Sequence, residues 1–380
     1  MSTLRQRVAA TVNRGLALAD LQLVRRHRFQ DALARIRELP TPAEDPGAVE
    51  AVGEPRDAGL PSGDALARAP DQQPSPEVRE ALRSDHPRLG ELRRRYARHP
   101  AAARSVWSDE TLARELALPW FRRDNPFMWQ SRDYGYWDDA GVWVPAATRE
   151  VNYVLSAYYV RSVDRLGLLD RLSDDADFGA VSVPIADGWS VTRDLLDSVL
   201  EINFLDRHLN LGSRDGLEML DIGAGYGRLA YRLTEAFSNI SRILCTDAVP
   251  ESTFLSEFYL AARGTGQRTE VVALDEVAGR LQNASVTVAI NVHSFPECPL
   301  ETIAWWLELV VANSIPYLFI ACNTTRLHST EPDGSMLDFE PLLRSHGYEL
   351  LALEPKYRLS PRVQQHGIFP AQYHLYRRRT

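Results

Sequence analysis

Three glycines at alternating positions, Gly223, Gly225 and Gly227, stand directly after one apolar run and directly before another. Residues 218–230 read Glu-Met-Leu-Asp-Ile-Gly-Ala-Gly-Tyr-Gly-Arg-Leu-Ala. Met219, Leu220 and Ile222 predict a buried strand, and Leu229, Ala230, Leu233, Ala236 and Phe237 predict a helix beyond the turn. Glycine takes positive φ without strain and lets a ligand come close to the main chain. The helix that follows aims unpaired N–H groups and its positive dipole end at the same spot. The chemistry on offer is backbone capture of a ligand, with the Asp221 carboxylate beside it. Further along, Asn291-Val-His293-Ser-Phe-Pro-Glu297-Cys sets an imidazole four residues from a carboxylate, and His366 supplies a second imidazole. Histidine is the side chain best poised to accept a proton near neutral pH, and Glu297 is placed to orient it or to bind a substrate.

The elements that must position these groups alternate strand and helix from residue 217 onward. Strands are expected at 217–222, 242–247, 269–274, 286–291, 317–322, 348–353 and 372–377. Helices are expected at 226–238, 250–263, from about 300, and at 337–346. The last two strands follow each other with only a loop holding Gln364, Gln365 and His366 between them, so they must form a hairpin. Upstream, 147–172 reads as one helix, and Ser190 as the cap of another running to Leu209.

The glycine spacing G-x-G-x-G is one residue tighter than the dinucleotide fingerprint G-x-G-x-x-G, and no second mononucleotide half follows. Led by an acid at the strand end, it resembles motif I of the class I S-adenosylmethionine (SAM) methyltransferases, whose sheet carries a reversed seventh strand. That resemblance implies an α/β, Rossmann-like sheet of seven strands with the last one antiparallel; the apolar periodicity upstream predicts a mainly helical N-terminal region before it. It implies SAM as cofactor, received by Gly223, Ala224, Gly225 and Gly227 near Asp221, with Asp247 taking the ribose hydroxyls and Leu274 and Asp275 facing the adenine. In this fold the segment before motif I closes over the methionine end, where Arg193 would pair with a carboxylate. The loop after the fourth strand faces the methyl group, which makes Asn291 a cofactor neighbour and His293 the first candidate base, with Glu297 beside it and His366 as the second candidate.

The blocks Thr192-Arg-Asp-Leu-Leu-Asp-Ser198 with Glu201, the motif I run, and Asn291-Val-His-Ser-Phe-Pro-Glu297-Cys together resemble the sugar O-methyltransferases of natural-product gene clusters, over residues 125–380. The resemblance implies methylation of a deoxysugar hydroxyl on a glycosylated small molecule. A phenol or peptide carboxylate acceptor, and a non-catalytic partner protein on the same fold, are the other readings. Glu297, Asp333 and Asp338 are oxygen ligands of the kind magnesium accepts, but no spacing specifies a metal site.

Bulk properties bound the rest. A net charge of −8 argues against a nucleic-acid partner. No apolar run approaches about 18 residues, so no membrane partner is expected. Cys245, Cys298 and Cys322 are far apart, which fits a reducing, cytoplasmic setting without structural zinc. Of the 43 lysine and arginine residues, Lys356 is the only lysine. Residues 1–38 read as an amphipathic helix suited to a homodimer contact, 39–76 as a Pro-rich linker, 77–210 as a helical and aromatic acceptor-side region, and 211–380 as the SAM domain. Helices are expected to start at Ser75, at the end of the linker, and at Ser108, and the aromatic stretch 120–143 is the expected acceptor lid.

Overall fold

The computed structural model describes residues 75–102, 116, 118–122, 136–137, 143–144, 146–175, 177–180, 182–186, 188–322 and 326–379. The expected helix at 1–38, the linker before residue 75, the helix from Ser108 and most of the aromatic stretch lie outside them.

Seven strands form one sheet: β1 (Leu217–Ile222), β2 (Ile240–Thr246), β3 (Thr269–Val271), β4 (Val286–Val292), β5 (Tyr317–Cys322), β6 (Tyr348–Pro355) and β7 (Gln372–Arg378). Their spatial order is β6-β7-β5-β4-β1-β2-β3. β1 pairs in parallel with β2 and β4, β4 with β5, and β2 with β3. β7 runs antiparallel to both of its neighbours, β5 and β6. The chain is thus an α/β protein with a Rossmann-like, seven-stranded sheet whose last strand is reversed, as expected. β1, β4 and β5 are near-continuous apolar runs because they sit in the middle of a sheet covered on both faces. β6, at the edge, leaves Leu350, Leu351 and Leu353 exposed.

Several boundaries differ from the sequence reading. The stretch 147–172 is two helices, α2 (Ala146–Val163) and Leu168–Arg171, because Gly167 takes φ +62° and breaks the run. Ser190 is not a helix cap; it pairs with Pro184 in a small hairpin, and the cap is Thr192, whose hydroxyl oxygen accepts the Leu195 N–H at 3.1 Å. The resulting helix, α3 (Arg193–Leu209), is buried on nearly all sides. The segment between β6 and β7 is not only a loop. It holds a short helix, α7 (Pro361–His366), capped by Ser360.

The longer helices that clothe the sheet are α4 (Arg228–Ala236), α5 (Pro250–Ala262) and α6 (Leu300–Ala312), with short ones at Val277–Leu281 and Glu340–Ser345. Upstream, Ser75 caps the helix Pro76–Ala81 as expected, and a second helix, α1 (Pro87–Tyr96), starts on its own proline. Two of the α1 arginines at 93–95 are paired: Arg93 meets Glu251 and Arg95 meets Asp275. Arg88 adds a fork onto Glu257, so α1 is fastened along α5.

The contact that sets the site is between α3 and the start of α4. Arg228 donates to Ser198 Oγ at 2.7 Å, to Glu201 Oε2 at 3.0 Å and Oε1 at 3.2 Å, and to the Asp194 carbonyl at 3.4 Å. Tyr226 donates its hydroxyl to Asp194 Oδ2. Asp194, Ser198 and Glu201 lie at helical spacing on one buried face of α3, so the glycine turn is clasped by a polar stripe where apolar packing is the rule. Arg228→Met removes the cation and strands a buried carboxylate. Chemical denaturation should show a loss of about 3 kcal/mol, whereas an unrelated exposed arginine such as Arg344 changed to Met should cost under about 0.5 kcal/mol.

Candidate functional site

The turn after β1 is built as the glycines predict. Gly223, Gly225 and Gly227 have φ of +71°, +58° and +89°, all in the region side chains avoid. The N–H groups of Gly223 and Ala224 donate to the Thr246 carbonyl at 2.9 and 3.1 Å, which seats the turn across the end of β2. A side chain at 223 would collide with Ser294, and one at 227 with Leu260. At 225 a Cβ would meet nothing within 4 Å. The turn is therefore closed on its protein sides and open at Gly225, the geometry of a backbone face offered to a ligand.

Asp247 lies at the end of β2 and reaches the same face. Its Oδ2 accepts the Gly225 N–H at 2.9 Å and its Oδ1 accepts the Val249 N–H at 2.8 Å. Burial pushes this carboxyl up to about 6, against the pull of those N–H donors. Asp221, inside the sheet beneath the turn, is pushed up to about 7, first by burial and then by Glu201 and Asp247, with Arg228 opposing. Two carboxyls at the turn therefore titrate near neutrality, a state that a bound cation would shift toward ionisation.

The opposite wall comes from the loop after β4. Asn291 is fully buried; its amide donates to the Ile222 carbonyl at 3.0 Å and its oxygen accepts the Phe295 N–H at 2.9 Å. It braces the end of β1 against the 293–297 loop. His293 has φ +65°, a left-handed conformation uncommon for histidine, and its N–H donates to the Ala321 carbonyl. Its Nδ1 is enclosed and finds no hydrogen-bond partner among the described residues. Burial holds the imidazole well below its usual range, reinforced by the cations Arg193, Arg228 and Lys356 and opposed by Asp197. It is neutral at pH 7. Glu297 ends the short 3-10 turn Phe295–Glu297 of the same loop.

Arg193 is buried at the start of α3, with Nε on Asp197 Oδ2 at 2.9 Å and its guanidinium carbon 3.5 Å from the centre of the Phe369 ring. Phe369 belongs to the β6–β7 connection, so Arg193 joins the turn side to the loop side. His366 is elsewhere on that connection, exposed at the last position of α7. On the far side, Leu274 and Asp275 are engaged by α1. The Leu274 N–H donates to the Tyr96 hydroxyl at 2.9 Å, and Arg95 clamps both oxygens of Asp275 at 2.8 and 2.6 Å. Among the described residues no cluster of His, Cys, Asp and Glu is arranged to hold a metal ion. No described helix is long and apolar enough to cross a membrane.

Sequence reasoning missed Asp194. This carboxylate is buried; Oδ2 takes the Tyr226 hydroxyl, and Oδ1 has no partner among the described residues. A buried acceptor without a donor is costly unless something completes it. Its signal in the sequence was an acid on a helix face that packs under the glycine turn.

No protein-family model matches the chain, and no curated protein matches it. Among solved structures, it is similar to magnesium protoporphyrin IX methyltransferase from Synechocystis PCC 6803 with bound SAM, at 14% identity and TM-score 0.35, over 49% of this chain and 83% of that one. It is also similar to the cyclase SpnF, at 16% identity and TM-score 0.34, over 51% and 85%. Precorrin-6y C5,15-methyltransferase from Geobacter metallireducens GS-15 shows 15% identity and TM-score 0.33, over 48% and 87%. Likenesses this distant concern the fold alone, and nothing about the ligand is built on them.

The glycines make separate predictions. Gly223→Ala carries both the positive φ and a clash with Ser294, and should lower stability by about 3 kcal/mol in a denaturant titration. Gly225→Ala carries the positive φ alone, with open space ahead of it, and should cost about 1 kcal/mol.

Proposed function

We propose that this chain is a SAM-dependent O-methyltransferase that methylates a hydroxyl of a small natural product, a sugar in the first instance. The observation that carries the cofactor reading is the open backbone face at Gly225, whose N–H is held by the Asp247 carboxylate, together with the buried Asp194 Oδ1, which has no partner among the described residues. These groups fit the chemistry of SAM: Asp247 suits a vicinal diol, Asp194 Oδ1 suits an ammonium, and Arg193 suits a carboxylate. Bound there, SAM supplies an electrophilic methyl group for in-line displacement by the acceptor.

The chain's own work is then alignment and proton removal. Gly223, Ala224 and Gly225 hold the cofactor against the end of β1, and Asn291 fixes the facing loop relative to it. His293 is the group that takes the hydroxyl proton as the oxygen attacks; the burial that keeps it neutral at pH 7 also lowers its basicity. Glu297, in the same loop, binds the acceptor or orients it. The sugar assignment is supported by the sequence blocks at 192–201 and 291–298, and the glycosylated small molecule remains the proposed partner. A cytoplasmic location and a homodimer through residues 1–38 belong to the same proposal.

Isothermal calorimetry should give one SAM site per chain. Asp247→Ala should weaken SAM at least tenfold. His293→Ala should keep SAM affinity within about twofold while lowering methyl transfer to a hydroxyl acceptor by about 100-fold or more. Unchanged transfer in that variant would exclude the base and favour a carboxylate acceptor, which needs none. An absence of SAM binding would leave the non-catalytic reading.

The carboxyl groups also predict a pH dependence. Asp221 and Asp247 lose their protons at about 7 and about 6, so both are ionised at pH 8 and largely protonated at pH 5.5. The ionised forms attract the sulfonium and ammonium of SAM. Affinity should therefore fall several-fold as pH is lowered from 8 to 5.5. S-adenosylhomocysteine, which lacks the sulfonium charge, should fall less. Equal falls for both ligands would show that these two groups do not feel the sulfonium.

A further inference from the structure

We infer that Lys356 is a positioning residue for the methionine end of the cofactor and for the loop above it, an inference that rests on the SAM reading. It is the single lysine among 43 basic residues, and it is buried. Its ammonium meets three oxygens: Asp197 Oδ1 at 2.5 Å, the Ile368 carbonyl at 2.9 Å and the Phe369 carbonyl at 3.1 Å. Three acceptors around one point suit the compact ammonium. A planar guanidinium spreads its donors over a wider fork and needs more room. In a chain that uses arginine at every other basic position, the exception falls where arginine does not fit.

These contacts close a ring. Asp197 accepts from Arg193 Nε through its other oxygen, Oδ2, and the Arg193 guanidinium lies over the ring of Phe369, whose carbonyl returns to Lys356. Phe369 has φ +44°, a conformation that a phenylalanine holds only when its surroundings impose it. Tyr357 donates to the Ile368 carbonyl at 2.6 Å, and the Ile368 N–H donates to Ser156 Oγ at 2.9 Å. Gly367 leaves no room for a side chain, since a Cβ there would lie 2.5 Å from the Val363 carbonyl oxygen. The turn at 367–369 is thus fixed by its backbone, and Lys356, alongside the Arg193–Phe369 contact, links it to α3. Through Asp197 it also sets the orientation of Arg193. The charged groups that act most strongly on Lys356 are Asp197, Arg193 and Glu201, all on α3, and Lys356 in turn acts on His293 of the β4 loop.

Removing the ammonium should therefore act on the amino-acid end of the cofactor and leave the adenosine end alone. The test is calorimetry of the full chain with two probes, SAM and 5′-methylthioadenosine, which lacks the amino-acid moiety. In Lys356→Met and in Lys356→Arg, SAM affinity should fall about tenfold or more while methylthioadenosine changes less than about twofold. Asp197→Asn should show the same selectivity, and combining it with Lys356→Met should add little. Should Lys356→Met fail to fold, Phe369→Leu decides. It removes the ring under Arg193 without stranding a charge, and should give a three- to fivefold loss for SAM alone. Equal losses for both probes, or none for either, would overturn the positioning role. If the wild-type chain binds methylthioadenosine and SAM equally, Arg193 has no carboxylate to hold, and the inference falls while the nucleoside site stands. If it binds neither, the proposed function itself is contradicted.

Discussion

The site depends on a buried helix face that carries charge. α3 is enclosed on nearly all sides, yet one stripe of it presents Asp194, Asp197, Ser198 and Glu201. Carboxylates taken out of water destabilise a fold unless cations and donors meet them. Here Arg228 answers Glu201 and Ser198, Tyr226 answers Asp194, and Lys356 with Arg193 answers Asp197. Tyr226 belongs to the glycine turn and Arg228 begins α4, so the glycine turn cannot move without breaking buried polar contacts. Lys356 and the Phe369 ring extend the same constraint to the β6–β7 connection. One helix face therefore sets the relative placement of the turn and of one loop beside it.

Rigidity of that kind suits displacement chemistry, in which small errors of alignment are costly. Two further observations agree with it. His293 and Phe369 both hold positive φ, and each sits in a loop leading away from a strand end. Strained residues persist where surroundings impose them, and such places are often functional. Asn291 supplies the link between the first of these loops and β1, so strain at His293 is borne by the sheet rather than by the loop alone.

The fold was legible because central parallel strands leave a strong trace. β1 and β5 fall on the residues that their apolar runs marked, and β6 and β7 pair antiparallel as expected of two successive strands, although α7 lies between them. Errors arose where local chemistry competed. Ser190 looks like a cap, yet it is paired in a hairpin, and Thr192 two residues later does the capping. α7 was read as loop because six residues carry little periodicity, although Ser360-Pro361 marked its start. The glycine turn and Asp247 were legible by type and spacing. Asp194, Asp197 and Lys356 were not, because their partners are distant: Lys356 and Asp197 lie 159 residues apart in sequence. The block at 192–201, which carries part of the family resemblance, also supports the turn in the fold. The single lysine was visible from the start, but its composition alone gave no reason for it. The reason is the three oxygens that meet it.

A crystal structure of the chain with S-adenosylhomocysteine tests this account most directly. The account predicts the amino-acid end between Asp194 and Arg193, the ribose on Asp247, and the main chain of 223–225 against the ligand, with the Lys356–Asp197 pair intact. Ligand density away from the glycine turn, or an Asp194 Oδ1 left without a donor beside a bound ligand, would contradict it.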